Sequence, residues 1–143
     1  MKPIIPAVII ATLVCLPSSL ESKEPAASAP EKKAAVQNVS PDEAEKLIKD
    51  VPGLIVLDVR TPEEFKDGHI KGAKNIDFFD SNFEKQVAAL DHTKPVLVHC
   101  AVGGRSGQAL GQMKNWPKFP AVYHLKDGFN GWTAAKKPVE KKK

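Results

Sequence analysis

Pro95-Val96-Leu97-Val98-His99-Cys100-Ala101-Val102-Gly103-Gly104-Arg105-Ser106-Gly107 is the stretch on which the fold turns. Its opening, Val96 to Val98, is short, apolar and flanked by β-branched residues, as a central strand of an α/β sheet requires. The strand runs out onto a cysteine. Gly103 and Gly104 then let the backbone fold so that successive N–H groups converge into a nest for negative charge. A helix beginning near Arg105 adds its N-terminal dipole at the same point. A cysteine so placed titrates below the free value of about 8.5 and is a nucleophile at neutral pH.

Upstream, Ser40-Pro41-Asp42-Glu43 combines an N-cap serine, a first-turn proline and a capping-box glutamate, with Ala44, Leu47 and Ile48 forming an apolar helical face. Leu54 to Leu57 is a continuous apolar run read as a second buried strand ending at Asp58. Thr61-Pro62-Glu63-Glu64 repeats the capping signature ahead of a short helix containing Phe65. A turn-rich stretch, Gly68 to Ala73, leads to a short strand at Lys74 to Ile76, and Ser81 and Glu84 begin a helix through Val87, Ala88 and Leu90. Beyond the cysteine loop come a helix from about Arg105 to Lys114, a strand at Val122 to Leu125 and a last short helix near Gly128 to Trp132. Strands alternating with helices define a three-layer α/β/α domain around a mostly parallel sheet of about five strands. Ligands of such sheets bind outside the carboxyl ends of the strands, where Asp58 and Cys100 both fall.

The ends read differently. Residues 1–19 join Lys2 to an apolar run from Ile4 that is shorter than the roughly 20 residues of a spanning helix, which describes a secretory signal peptide. Cys15 raises lipidation as a minority alternative, although Val14 is larger than such a site prefers. Residues 20–35, rich in Ala, Pro, Ser, Glu and Lys, form a flexible linker. The domain occupies 36–136, and 137–143 is a basic disordered tail. The net charge of +4 matches the excess of Lys136, Lys137 and Lys141 to Lys143 over Glu140, so the domain itself is balanced. With no basic patch interleaved with aromatics, nucleic acid is excluded as a partner. Export, to a bacterial periplasm, is the expected location, with membrane association only if the N-terminus stays uncleaved or is lipidated. Removal of the signal leaves Cys100 as the single cysteine, an unpaired thiol in an oxidising space.

His69, His92, His99 and His124 show no paired ligand spacing, so neither a metal nor a cofactor is expected. His99 points to the opposite side of its strand from Cys100 and reads as a packed core residue. Trp116 and Trp132 read as core or cover residues.

With these residues in place, the chain resembles the rhodanese family of sulfurtransferases over roughly residues 36–135. Four stretches carry the resemblance: Leu57-Asp58-Val59-Arg60 with Glu63-Glu64-Phe65; Gly68-His69-Ile70-Lys71-Gly72-Ala73-Lys74-Asn75-Ile76; His99-Cys100 to Arg105-Ser106-Gly107; and Leu125-Lys126-Asp127-Gly128-Phe129-Asn130-Gly131-Trp132. Asp127 stands where the family often has glycine. The resemblance implies a Cys100 persulfide held by the backbone N–H groups of Ala101, Val102, Gly103, Gly104 and Arg105. A small anionic donor such as thiosulfate supplies the sulfur and a thiol or cyanide accepts it, by a monomer acting in ping-pong fashion. Arg105 either attracts the donor or ties the loop to the protein. Asp58 and Arg60 are supporting residues, with Arg60 expected to pair with Glu64. Cysteine phosphatases share the His-Cys-loop-Arg-Ser pattern, but here four residues separate Cys100 from Arg105, one fewer than they use. A residue is worth about 3.3 Å of chain reach, and the shorter loop suits a sulfur atom and crowds a phosphoryl group. The other alternative is a non-enzymatic module that carries persulfide for a partner or binds it.

Overall fold

The computed structural model describes residues 35–112 and 118–141. Within them the chain builds a five-stranded, wholly parallel sheet in the order β1-β6-β5-β2-β4. The strands are β1 (Val36–Val39), β2 (Ile55–Asp58), β4 (Lys74–Asn75), β5 (Val96–His99) and β6 (Val122–Leu125). Helices cover both faces, giving the expected three-layer α/β/α architecture. β2 and β5 lie in the middle and are buried at every position, which is why both read as unbroken apolar runs.

Side chains alternate between two cores, as the pleat demands. Ile55, Leu57, Val96, Val98 and Cys100 face α3 (Phe83–Ala88) and α4 (Gly104–Gly111), which contribute Phe83, Val87, Ala109 and Leu110. Val56, Leu97 and Leu125 face α1 (Pro41–Asp50) and α5 (Gly128–Ala134), which contribute Ala44 and Trp132. Both predicted capping boxes are present. Ser40 and Glu43 close one at the start of α1; Thr61 and Glu64 close the other at the start of α2 (Pro62–Asp67).

Three expectations change. The helix predicted from Ser81 begins at Phe83, with Asn82 at its N-cap making no side-chain cap bond. The local carboxylate wins there: Asp80 accepts from the Asn82 N–H at 2.8 Å and turns the chain before the helix can start. The helix after the cysteine loop begins one residue earlier, at Gly104, and its described part ends at Gly111. The third concerns 137–143, read as a disordered tail. β7 (Val139–Glu140) instead pairs antiparallel with β3 (His69–Ile70), a strand hidden inside the stretch read as turns. Lys137 secures the approach with Nζ 2.6 Å from both Asp42 and Glu45, and the Trp132 indole N–H donates to the Pro138 carbonyl at 2.9 Å. The charge that made the segment look like a solvated tail is partly used in holding it down.

The signal-like run, nearly all of the linker, Cys15, Trp116 and residues 113–114 of the helix predicted to reach Lys114 lie outside the described residues. Among the described residues no helix is long and apolar enough to cross a membrane.

Candidate active site

Cys100 follows the last residue of β5 at the carboxyl edge of the sheet. Its residue surface is only 1% exposed. Sγ accepts from the Gly103 N–H at 3.1 Å and from the Ser106 hydroxyl at 3.4 Å. Burial pushes the thiol up. The Ser106 hydroxyl and the backbone N–H groups of Ser106, Val102 and Gly103 outweigh that effect and bring it below its ordinary value.

The loop is shaped from outside. The N–H groups of Phe129 and Asn130, in the first turn of α5, donate to the carbonyls of Cys100 (2.7 Å) and Ala101 (2.9 Å). With those carbonyls drawn outward, the following N–H groups are left to converge on the sulfur. Two glycines are required for this. Gly128 has φ 62° and any Cβ on it would run into the Cys100 and Ala101 carbonyls; Gly103 has φ 87° and a Cβ would strike the Lys126 carbonyl.

Arg105 ties the loop down. Its guanidinium makes a fork on Glu64, Nη1 to Oε2 at 2.7 Å and Nη2 to Oε1 at 2.8 Å, joining α4 to α2. The Arg105 hydrogen bonds hold the Glu64 carboxyl down at about 2, and Glu64 raises Arg105 in turn. Of the two roles foreseen for Arg105, the geometry supplies the tether.

The expected Arg60–Glu64 pair does not form, because each partner is taken. Arg60 turns inward to the buried carboxylate of Asp58, with Nη2 2.6 Å from Oδ2 and Nε 3.0 Å from both oxygens, and also donates to the Gly68 carbonyl at 2.7 Å. Its guanidinium lies 4.0 Å from the centre of the Phe129 ring. Phe129 is the residue whose N–H holds the Cys100 carbonyl, so Asp58 and Arg60 support the loop at one remove. His99 is fully buried on the face opposite Cys100, stacked with Phe129, and burial pushes its imidazole below the usual range despite nearby Asp58.

Ser106, His124 and Asn38 complete the surroundings and were not singled out from the sequence. The Ser106 oxygen lies 2.9 Å from His124 Nε2 and 3.1 Å from the Gly103 carbonyl, and His124 Nδ1 is 3.0 Å from Asn38 Oδ1. Ser106 was legible as the residue after the loop arginine. His124 and Asn38 come from β6 and β1, and neither carries a local signal. At the mouth, Val102 and Phe79 are 66% and 69% exposed, with the Arg105 guanidinium 6.0 Å from the Phe79 ring centre.

The site is thus a buried cysteine at the carboxyl edge of a parallel sheet, with backbone N–H groups of a short loop turned to its sulfur. Residues 40–135 match the Rhodanese-like domain family, and the chain belongs to it. It is similar to the uncharacterized protein YqhL of Bacillus subtilis, 38% identical over 77 residues, which are 54% of this chain and 59% of that protein. It is also similar to the thiosulfate sulfurtransferase GlpE of Stutzerimonas stutzeri, 34% identical over 80 residues, 56% of this chain and 71% of the relative. Among solved structures, the rhodanese-related protein of Thermoplasma volcanium superposes with a TM-score of 0.63 at 26% identity, over 74% of this chain and 99% of that one.

Proposed function

We propose that the protein is a sulfurtransferase that moves sulfane sulfur through a Cys100 persulfide, with thiosulfate or a similar small anion as donor and a thiol or cyanide as acceptor. The observation that carries this is the sulfur's setting: Sγ already accepts from Gly103 N–H and Ser106 hydroxyl at the floor of a loop held open by α5. In the first half-reaction the Cys100 thiolate attacks the outer sulfur of the donor. A new S–S bond forms, the old one breaks, and sulfite leaves with the bonding pair. The persulfide's terminal sulfur carries the negative charge one atom further out, where N–H groups of Ala101 to Arg105 receive it. Attack by the acceptor on that terminal sulfur returns the Cys100 thiolate and completes a ping-pong cycle.

The test is direct. The purified chain is expected to convert thiosulfate and cyanide to thiocyanate and sulfite. After thiosulfate alone, mass spectrometry should find one added sulfur on the Cys100 peptide, and Cys100→Ala should lose both signals. Turnover in that variant at the wild-type rate would overturn the assignment. Aryl phosphates should remain intact, the loop being one residue too short for a phosphoryl group.

A persulfide carrier serving a partner protein is the second reading, favoured by the exposed Val102 and Phe79 beside the loop. Persulfide that forms stoichiometrically but reaches no small acceptor would select it. Export to a periplasm belongs to the same proposal and rests on the charged start and short apolar run of residues 1–19. Fractionation with N-terminal sequencing checks it: a mature chain starting beyond Cys15 is expected, and an intact Met1 on cytosolic protein would refute it.

A further inference from the structure

The Ser106 hydroxyl has one hydrogen and three acceptors within reach: Cys100 Sγ at 3.4 Å, the Gly103 carbonyl at 3.1 Å and His124 Nε2 at 2.9 Å. The sulfur is the most distant of the three. The His124 nitrogen is the nearest of them, and whenever it accepts it competes with the sulfur for that hydrogen. What directs it is the imidazole on β6.

We propose that His124, oriented by Asn38, is a positioning residue that aims the Ser106 hydroxyl at the Cys100 sulfur whenever that sulfur is anionic. When the ring carries its proton on Nε2, it donates to the Ser106 oxygen and no longer accepts from it. The nearest competing acceptor is then removed, which leaves the hydroxyl hydrogen to the sulfur and the Gly103 carbonyl, and an anionic sulfur is the stronger of the two. Asn38 serves either tautomer. Its side chain, exposed on edge strand β1, presents Oδ1 3.0 Å from Nδ1 and accepts from a ring that carries its proton there; a turn of the amide lets the NH2 group donate to Nδ1 instead. In the setting the structure shows, with the carbonyl oxygen toward the ring, the proton sits on Nδ1, Nε2 accepts from Ser106, and the hydroxyl hydrogen is drawn from sulfur. A neutral thiol tolerates the second setting; a thiolate or persulfide selects the first, because a charged acceptor makes the stronger bond. Burial holds the His124 imidazole below its usual range, so that the choice at neutral pH is between tautomers rather than charges. Among the described residues in this network, the titratable group facing His124 is Cys100, through Ser106. Arg105 on the same helix is turned to Glu64.

This deepens the persulfide reading, yet its test needs no sulfur donor. In the full chain, iodoacetamide alkylation is followed across pH on the Cys100 peptide by mass spectrometry, which separates it from Cys15. His124→Phe keeps a ring of similar size and removes the donor; the Cys100 midpoint is expected to rise by about one pH unit, slowing alkylation near neutrality roughly tenfold. His124→Gln, whose amide reaches the place of Nε2, should restore the midpoint to within a few tenths of a unit. In a Ser106→Ala background, His124→Phe should add nothing, since the histidine acts through the serine. A wild-type midpoint in His124→Phe, or an equal rise in the Ser106→Ala background, would overturn the proposal. Circular dichroism reports whether each variant folds. Should the phenylalanine variant fail, His124→Asn takes its place, its amide too short for Ser106: it should show the raised midpoint, and behaviour matching His124→Gln would also overturn the proposal. Failure of sulfur transfer with the expected midpoint shifts would sink the sulfurtransferase reading and leave this one standing.

Discussion

Glu64 serves two structures at once. Its carboxylate accepts from the Thr61 N–H to close a capping box, and the same group receives both prongs of the Arg105 fork. Its carboxyl is held at about 2, well under the ordinary 4.5, so its contribution to stability is complete above pH 4.5 and fades as pH falls toward 2. Glu64→Gln should therefore cost about 0.5–1 kcal/mol at pH 7, a small figure because the pair is partly open to solvent. Urea titrations at descending pH should show wild type and variant converging below pH 4.5; a gap that widened on acidification would show that the pair is not the cause. The capping role was readable from Thr61-Pro62-Glu63-Glu64 alone, since a helix start is local. The partner was not. Arg60 is near in sequence and Arg105 is 41 residues away, so a sequence reading pairs Glu64 with the neighbour, while the buried Asp58 carboxylate draws that neighbour inward. The roles of His124 and Asn38 escaped notice for the same reason, His124 being 18 residues from Ser106 and 86 from Asn38.

At the scale of elements, α5 governs the cysteine loop. Its first-turn N–H groups fix the Cys100 and Ala101 carbonyls, and Gly128 is the residue that lets the helix come so near. Gly128→Ala should push the loop and α5 apart. A left-handed residue gaining a Cβ costs about 1–2 kcal/mol, before the clash with two carbonyls is counted. We expect at least a tenfold loss of sulfur transfer with a raised Cys100 midpoint, measured by thiocyanate formation and pH-dependent alkylation. Full activity in this variant would mean that the loop holds its shape without the helix. The sheet strands and capped helices were legible because hydrophobic runs and caps are written within a few residues. β3 and β7 were not: a two-residue strand has no period to detect, and its pairing spans the domain from His69 to Glu140.

For the molecule as a whole, two cores on either side of one sheet meet at β2 and β5, and the last described residues clasp the structure from outside. Removing residues 138–143 takes away the acceptor of the Trp132 indole N–H and the partner strand of β3. A buried donor left unpaired costs about 1 kcal/mol or more, equivalent to a fall in Tm of roughly 4–8 °C for a domain of this size. Calorimetry of the truncated chain checks this, and an unchanged Tm would return the segment to the status of a tail. The way α5 braces the loop also has a bearing on time. Cys100 is made before α5, the last helix among the described residues and the one that shapes its surroundings. A polypeptide cut short before Gly128 lacks the two N–H groups that hold the Cys100 and Ala101 carbonyls, and its cysteine is expected to have ordinary reactivity. The proposed sulfur chemistry therefore waits until α5 has been made and has folded against the loop.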